Sequence, residues 1–326
     1  YKRQLRGCGF AASRQPVPGA GENLIAARGE GGVWLVTHLD VFPPYEHPQP
    51  FSPRVEGEEL VGRGAVDTKG QLAALLSALA TTQAPAQVAL VVDEESLGRG
   101  SAALEVPPGI VGAVVLEPTG LRLAPAEAGS LGLFLITTGK EAHGSLPWRG
   151  KSAVELAFSL YEKLKNLPFA SHTHPLFEQG GWVNLGRIQG GYDTMLVPNR
   201  CELELDIGFA PGLPAAQVAQ QVRQALAEAE TVEITDIWEP WETSLQEEIV
   251  RRVSQALAKV LGKVTLWGMP SWTDGANLVR KGVPTVILGA GDLALAHSFR
   301  EALPLPQLFS LSEVLAELLR SVPEGN

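Results

Sequence analysis

Two adjacent carboxylates, Glu94 and Glu95, close an apolar segment at residues 87–92 that is typical of a buried strand. A lone buried carboxylate is unfavourable unless another group pairs with it or coordinates it. Because neighbouring side chains on a strand point to opposite faces, the two glutamates can do different jobs, one binding a metal ion and the other holding a proton. The pair therefore predicts a site that combines metal binding with acid–base chemistry.

Two further apolar segments also end in residue types that bind metal ions. Residues 33–37 lead into His38 and Asp40, and residues 110–116 lead into Glu117. In open α/β sheets the binding crevice lies at the carboxyl ends of the strands. These side chains are therefore expected to meet at one edge of a sheet.

Two more segments supply candidate ligands. Asp67 lies among Gly62, Gly64 and Gly70, which indicates a backbone with unusual torsions or a close approach to a site. An ordinary surface turn with a helix-capping aspartate is the alternative. His297 lies in an Ala-His-Ser segment that could equally begin a helix. Each of the earlier motifs also has a purely structural alternative, such as a solvated strand end or a turn.

Together the candidates form a donor set of two histidines and three carboxylates: His38, Asp67, Glu95, Glu117 and His297. That set suits a pair of Zn²⁺-like ions that share one carboxylate. Two ions about 3.5–4 Å apart can activate one water molecule and polarise a carbonyl oxygen. Glu94 is then the natural general base, and Asp40 is well placed to accept the second ring N–H of His38.

In this combination the motifs resemble the M20 family of metallopeptidases, the group with acetylornithine deacetylase, succinyl-diaminopimelate desuccinylase, aminoacylase and glutamate carboxypeptidases. The resemblance covers nearly the whole chain. It rests on five segments: Thr37-His38-Leu39-Asp40-Val41, the Gly-Arg-Gly-x-x-Asp-x-Lys-Gly run of residues 62–70, Asp93-Glu94-Glu95, Glu117-Pro118-Thr119, and Ala296-His297-Ser298 with Glu301.

The resemblance implies a role for each ligand. His38 and Glu117 are expected to hold one metal ion. Glu95 and His297 are expected to hold the other, and Asp67 is expected to bridge the two. Zn²⁺ is the expected metal, with Co²⁺ or Mn²⁺ as alternatives.

Three further expectations follow from the same resemblance. Asp40 should orient His38, and Glu94 should act as the base. The peptide bond from Asp67 into Thr68 should be cis.

A sheet is needed to position these residues. Roughly the first 120 residues alternate short apolar strands with helices, which is typical of a mostly parallel sheet. Residues 128–238 follow the order β-α-β-β-α-β, the ferredoxin-like arrangement. We therefore expect an α/β catalytic metal-binding domain from residues 1–127 and 239–326, with a mostly parallel sheet flanked by helices, and an inserted α+β domain at residues 128–238.

Hydrophobic periodicity predicts the individual elements. The predicted helices cover residues 71–82, 151–167, 214–228, 245–261, about 277–281, and the chain from 311. Besides the three apolar segments above, the predicted strands cover residues 131–138, 182–188, 200–209, 231–237, 264–267 and 285–288.

The resemblance implies that the inserted domain is a lid and a dimerisation element. His143, in the segment Ala142-His143-Gly144-Ser145-Leu146-Pro147, matches a lid motif whose histidine reaches the active site of the partner subunit and helps to hold the oxyanion. The protein is therefore expected to form a homodimer through residues 128–238.

Two positions depart from the family pattern. Met195 stands where the family commonly has Asn, and Gly208 stands where it commonly has Arg. Those two family residues tend to contact the carboxylate or carbonyl of the substrate, so the resemblance does not specify that part of the substrate. Arg187 and Arg200 are candidates for a substitute cation.

Composition excludes several classes of protein. The chain has 326 residues, of which 45% are hydrophobic and 19% charged, as in soluble globular proteins. Its net charge of −10 argues against a nucleic-acid partner and against an anionic membrane surface. No apolar run is long enough to cross a membrane. Only Cys8 and Cys201 are present, and no signal peptide is visible, so we expect a reducing, cytoplasmic location.

The sequence thus predicts a co-catalytic metal-dependent amidohydrolase that cleaves an N-acyl amino acid or a small peptide. Two alternatives stay open: a non-catalytic metal-dependent binding protein that has lost turnover, and a metal-free dimeric scaffold. The presence of Glu94 argues against the first, because metal binding needs no base. Five intact ligand types argue against the second.

Overall fold

The computed structural model describes residues 1–321, and their contacts divide the chain into two compact units. The first unit contains residues 1–126, 243–269 and 273–321. The second contains residues 127–242 and 270–272. All the metal-ligand candidates belong to the first unit, and His143 belongs to the second.

The helices and strands alternate along most of the chain. In order they are α1 (Lys2–Gly7), β1 (Ala11–Val17), β2 (Gly21–Arg28), β3 (Gly32–His38), β4 (Arg54–Glu56), β5 (Glu59–Val61), α2 (Gly70–Ala80), β6 (Ala86–Val91), α3 (Arg99–Ala102), β7 (Ile110–Val115), β8 (Leu123–Glu127), β9 (Gly129–Thr138), α4 (Ala153–Leu164), β10 (Trp182–Gly190), β11 (Arg200–Phe209), α5 (Ala215–Ala225), β12 (Thr231–Trp238), β13 (Trp241–Glu242), α6 (Glu248–Leu261), β14 (Leu266–Met269), α7 (Gly275–Arg280), β15 (Thr285–Ile287), β16 (Ala302–Pro304) and α8 (Leu305–Arg320).

The first unit is built on one large mixed sheet, in which neighbouring strands follow the order β1-β2-β6-β3-β7-β15-β8. Strands β6, β3, β7 and β15 are parallel to one another. The pairs β1–β2, β2–β6 and β15–β8 are antiparallel. The prediction of a mostly parallel sheet is therefore wrong outside the central strands. The reason is the hairpin of β1 and β2, whose partly exposed faces suit an antiparallel edge, whereas β3 and β6 are buried throughout.

The core of the first unit lies between this sheet and helices α2, α6 and α8. Leu35, Val88 and Val114 occupy neighbouring positions on β3, β6 and β7 and belong to the same buried cluster as all three helices. Burying one such side chain contributes about 1.5–3 kcal/mol relative to its exposed state. The core therefore holds the carboxyl ends of the central strands in fixed positions. Helix α8 begins at Leu305, earlier than the predicted residue 311, because the proline-containing first turn is compatible with a helix start.

The second unit contains a four-stranded antiparallel sheet in the order β10-β11-β9-β12. Along β11, Cys201, Leu203 and Leu205 are buried in one cluster with residues of α4 and α5, while the alternate residues face away from it. The predicted strand of residues 200–209 is confirmed. No described helix in either unit is long and apolar enough to span a membrane.

Candidate metal centre

The carboxyl ends of three adjacent parallel strands bring the predicted ligands together. β3 ends at His38, and Glu117 follows closely after the end of β7. The backbone N–H of Leu39 donates to the carbonyl of Val91, the last residue of β6, at 2.7 Å. The other candidate metal ligands lie at the edge of the sheet that these strand ends form.

Glu94 and Glu95 lie in a turn and not on a strand, contrary to the prediction. β6 ends at Val91, and Asp93 has a left-handed backbone with a φ of 71°, so the strand cannot continue. The alternation of faces along a strand therefore does not separate the two glutamates. The turn instead brings both into one group, in which ligand atoms of His38, Glu94 and Glu95 lie within 4.8 Å of one another.

Asp67 lies in a short helical turn, Ala65–Lys69, that is interrupted at Asp67 and Thr68. The peptide bond between these two residues is cis, as the resemblance predicts. The hydroxyl groups of Thr37 and Thr68 are 3.0 Å apart, and the Thr68 hydroxyl donates to the carbonyl of His38 at 3.3 Å. These bonds attach the Asp67 segment to the end of β3.

His38 is fully buried and has a partner at each ring nitrogen. Its Nε2 lies 2.8 Å from Asp67 Oδ1 and 3.6 Å from Glu117 Oε1. Its Nδ1 lies 3.1 Å from the carbonyl of Asp40 and 3.5 Å from the Asp40 carboxylate. Asp40 Oδ2 in turn accepts the backbone N–H of Glu95 at 3.0 Å. Asp40 therefore links the segments that carry His38 and Glu95.

Asp67, Glu95 and His297 form a second group beside the first. His297 Nε2 lies 3.1 Å from Glu95 Oε2 and 3.4 Å from Asp67 Oδ2. The imidazole of His297 stacks on the ring of Phe42, with the ring centres 3.9 Å apart and the planes 8° from parallel. The two oxygens of Asp67 thus face two different histidines, His38 and His297.

Burial and close charges shift the pKa values of this cluster. Burial opposes the charge on His38, but Glu94 and Glu117 outweigh it and raise the His38 pKa well above its usual value. Burial also opposes the charge on Asp67, but its bonds to the two histidines lower the Asp67 pKa. Burial raises the pKa of Glu94 and of Glu117 well above the usual range. The bonds of His297 to its carboxylate neighbours outweigh burial and raise its pKa to about 9.

The donor set fits divalent metal ions. Glu95 Oε1 and Glu117 Oε1 are buried and accept no hydrogen bond within the described residues, so each has a lone pair available for a cation. Carboxylate oxygen and imidazole nitrogen are ligands that Zn²⁺, Co²⁺ and Mn²⁺ accept. A cation would also offset the repulsion among so many buried carboxylates.

Comparison with known proteins identifies the family of the chain. The model of peptidase family M20/M25/M40 matches residues 34–321. The chain belongs to the M20 peptidase family. It is 30% identical to acetylornithine deacetylase from Myxococcus xanthus, over 96% of this chain and 88% of the relative. It is 28% identical to succinyl-diaminopimelate desuccinylase from Rhizorhabdus wittichii, again over 96% and 88%. Among solved structures, a tripeptidase from Staphylococcus aureus matches with a TM-score of 0.77 at 20% identity, covering 98% of this chain and 90% of that one.

Membership of the M20 family decides between the classes of function left open by the sequence. The family's enzymes hydrolyse amide bonds, and the match covers both the strand ends and the late His297 segment. The protein is therefore an amide-bond hydrolase rather than a binding protein or a scaffold.

Asp274 is a buried carboxylate that acts electrostatically on the ligand cluster and that the sequence patterns do not indicate. Its side chain is fully buried, and neither carboxylate oxygen accepts a well-formed hydrogen bond from the described part of the chain. Burial is the main cause that raises the Asp274 pKa to about 6, and the hydroxyl of Ser101 offsets only part of that effect. The charge of Asp274 also raises the pKa of Glu94 and of Glu117. Its only sequence signal is the segment Ser-Trp-Thr-Asp-Gly between β14 and α7.

The remaining candidate catalytic residue, His143, lies in the second unit. His143 is exposed, and its Nδ1 lies 2.8 Å from the Ser145 hydroxyl. Its action on a partner subunit stays a prediction.

The two departures from the M20 pattern also lie in the second unit. At Gly208 an added Cβ would lie 1.9 Å from the ring of Trp182, so the indole covers the position where the family commonly has Arg. Met195 is exposed. Arg187 and Arg200 each pair with a glutamate on β11, at 2.5 and 2.8 Å, so both predicted substitute cations are already engaged.

Proposed function

We propose that the protein is a co-catalytic metal-dependent amidohydrolase that cleaves the amide bond of an N-acyl amino acid or a small peptide. The observation that carries this proposal is the position of Asp67, whose two oxygens face His38 and His297. The relatives named for acetylornithine, succinyl-diaminopimelate and tripeptides support the substrate class.

Two divalent ions would bind in this arrangement, Zn²⁺ first and Co²⁺ or Mn²⁺ as alternatives. His38 and Glu117 would hold one ion, Glu95 and His297 would hold the other, and Asp67 would bridge them. When bound, such ions polarise a substrate carbonyl and lower the pKa of water. Asp40 contributes by fixing the ring of His38, because a ligand histidine is oriented by the acceptor at its other nitrogen.

Glu94 is the proposed general base. Its Oε2 lies 3.9 Å from His38 Nε2, inside the ligand cluster, and its pKa is raised by burial. A base with a pKa near the working pH is effective, because it accepts a proton readily and also returns it readily. Glu94 takes a proton from the attacking water as the water oxygen bonds to the carbonyl carbon. It then gives that proton to the amine nitrogen as the C–N bond breaks.

Residues 128–238 are proposed to form an inserted ferredoxin-like domain that acts as a lid and builds a homodimer. The edge strands of its sheet, β10 and β12, could pair across a two-fold axis, which would cover exposed backbone groups. His143 of the partner subunit would then help to stabilise the negative charge that develops on the carbonyl oxygen. The unpaired Cys8 and Cys201 support a reducing, cytoplasmic compartment.

A substrate screen tests this function. The purified protein is stripped of metal, supplied with Zn²⁺, Co²⁺ or Mn²⁺, and offered N-acetyl and N-succinyl amino acids beside di- and tripeptides. Release of free amine should appear with at least one metal and one substrate class, and it should disappear when a chelator is added. Amine release that is unaffected by the chelator would contradict the proposal.

A further inference from the structure

A buried ion pair, Arg63 with Glu301, lies next to the ligand cluster without belonging to it. Arg63 Nη1 and Glu301 Oε2 are 2.6 Å apart, and each side chain is only 1% exposed. Removing two charges from water is unfavourable unless their remaining donors and acceptors are also satisfied. Arg63 Nε has no hydrogen-bond partner within the described residues, but the partners of the other atoms show what the pair holds in place.

Glu301 holds the segment of Asp67. Its second oxygen, Oε1, accepts the backbone N–H of Val66 at 3.0 Å and the N–H of Asp67 at 3.1 Å. Hydrogen bonds to a charged acceptor are stronger than neutral ones. The carboxylate of Glu301 thus fixes the backbone from which the Asp67 side chain extends between the two histidines.

Arg63 holds the segment of His297. Its Nη2 donates to the carbonyl of His297 at 2.9 Å. The centre of its guanidinium lies 5.7 Å from the ring of Phe42, on which the His297 imidazole stacks. His297 has a φ of 63°, a left-handed conformation that a residue other than glycine adopts only when its surroundings hold it there.

Pairing between two short strands brings the members of this ion pair together. β5 precedes Arg63 and Asp67, β16 follows His297 and Glu301, and the two strands pair antiparallel. The backbone N–H of Gly62 also donates to the carbonyl of Glu301 at 3.1 Å. Segments far apart in sequence are therefore joined at the point where both supply ligand candidates.

We propose that the Arg63–Glu301 pair is a positioning clamp for the metal ion that Asp67, Glu95 and His297 would hold. The inference rests on the proposed metal centre. Among the described residues, the pair makes hydrogen bonds to the segments of Asp67 and His297 and none to His38 or Glu117. Loss of the clamp should therefore weaken one metal site more than the other.

Competitive Zn²⁺ titration of the metal-free protein against a chromophoric chelator tests the clamp. The unaltered protein should bind two ions with two resolvable constants. Because Glu301 holds the segment of Asp67, which would touch both ions, Glu301→Gln should weaken one constant about 10–100-fold, the usual size of an effect on groups that orient metal ligands, and the other constant by a clearly smaller factor. Glu317→Gln is the matched control, since it removes an ion pair with Lys259 at 2.6 Å on α6 and α8, and it should change neither constant.

The outcomes separate positioning from general folding stability. A purely structural role would weaken both constants by the same factor, and that result, or two unchanged constants, would overturn the clamp. If Glu301→Gln does not fold, Arg63→Lys decides, because it keeps the charge but cannot reach both Glu301 and the His297 carbonyl in the same way. It should again weaken one site more than the other. Failure of the unaltered protein to bind any Zn²⁺ would instead reject the proposed metal centre.

Discussion

Glu94 is the residue on which the proposed reaction depends most. It shares the cluster with His38 and Glu95, but Glu95 is the neighbour whose oxygen approaches His297. Glu94→Gln should therefore keep its bound metal while turnover falls about 10²–10⁴-fold, the usual contribution of a general base. Elemental analysis and kcat measured on the same preparation check both halves of this prediction. Full activity in the variant would contradict the mechanism.

Asp274 predicts a pH dependence of stability in the metal-free protein. Its folded pKa of about 6 lies above the ordinary value of 3.8, so the folded state binds the proton more tightly than the unfolded state does. The resulting stabilisation is present below pH 3.8 and is lost as the pH rises through 6. Asp274→Asn has no ionisable carboxyl at this position, so its stability should not fall in this way as the pH rises. The free energy of unfolding of the variant, relative to the unaltered protein, should rise by on the order of 3 kcal/mol between pH 4 and pH 7.5.

Urea unfolding in the presence of a chelator at several pH values measures the Asp274 effect. Taking the difference in unfolding free energy between the two proteins removes the contribution of groups that titrate in both. Parallel pH profiles for the variant and the unaltered protein would show that the Asp274 carboxyl is not destabilising when ionised.

At the residue scale the clustering of the candidate ligands could be predicted, but the backbone conformation that brings them together could not. Residue type and position after an apolar run identified His38 and Glu117, and both lie where β3 and β7 end. The apolar run predicts a strand face for Glu94, because the sequence does not reveal that Asp93 turns the chain. Asp274 was missed because a single carboxylate near a helix start is most often an exposed cap, and only the folded structure shows that it is buried.

At the element scale, Gln71 on α2 joins two segments of the site. Its amide donates to the carbonyls of Val66 and Ala290 at 2.8 and 2.6 Å and accepts the Ala290 N–H at 2.8 Å. Gln71→Leu keeps the side-chain volume but leaves these buried groups unpaired. The free energy of unfolding should fall by about 3 kcal/mol, because unsatisfied buried groups are costly.

Chemical denaturation of the metal-free protein measures the effect of Gln71→Leu. Gln220→Leu is its control, since Gln220 is exposed on α5 and the same substitution there should change the unfolding free energy by less than about 0.5 kcal/mol. Equal effects at the two positions would mean that the hydrogen bonds of Gln71 contribute little.

The predictability of the elements follows their length and burial. β3 and β6 are continuous buried runs, which the sequence displays directly. β5 and β16 have three residues each, too few for any periodicity, and their pairing joins chain segments that are far apart in sequence. The clamp between Arg63 and Glu301 depends on that pairing and so could not be foreseen.

At the scale of the whole molecule, the proposed dimer makes His143 act on the partner subunit. His143→Ala and Glu94→Gln should each be nearly inactive alone. A mixture that forms hybrid dimers should regain part of the activity, because one centre then has both an intact Glu94 and an intact His143 from its partner. Light scattering checks the dimer, and subunit exchange is verified with differently tagged chains. A mixture that exchanges subunits but stays inactive would show that His143 does not act across the interface.

The order of elements in the second unit could be predicted, because alternation along β11 and the helical spacing of α4 are strong signals. Substrate preference could not be predicted in the same way. The position of Gly208 is covered by Trp182, a contact that only the folded chain reveals.

The central claim is that two divalent ions at the His38–Asp67–His297 cluster are needed to hydrolyse an amide bond. Its most direct test is to titrate Zn²⁺ into metal-free protein while following hydrolysis of the best substrate from the screen and counting the bound ions. Activity should be absent without metal and should reach its plateau as the second ion binds. Full hydrolysis by the metal-free protein, or hydrolysis unchanged when both His38→Ala and His297→Ala are introduced, would contradict the account.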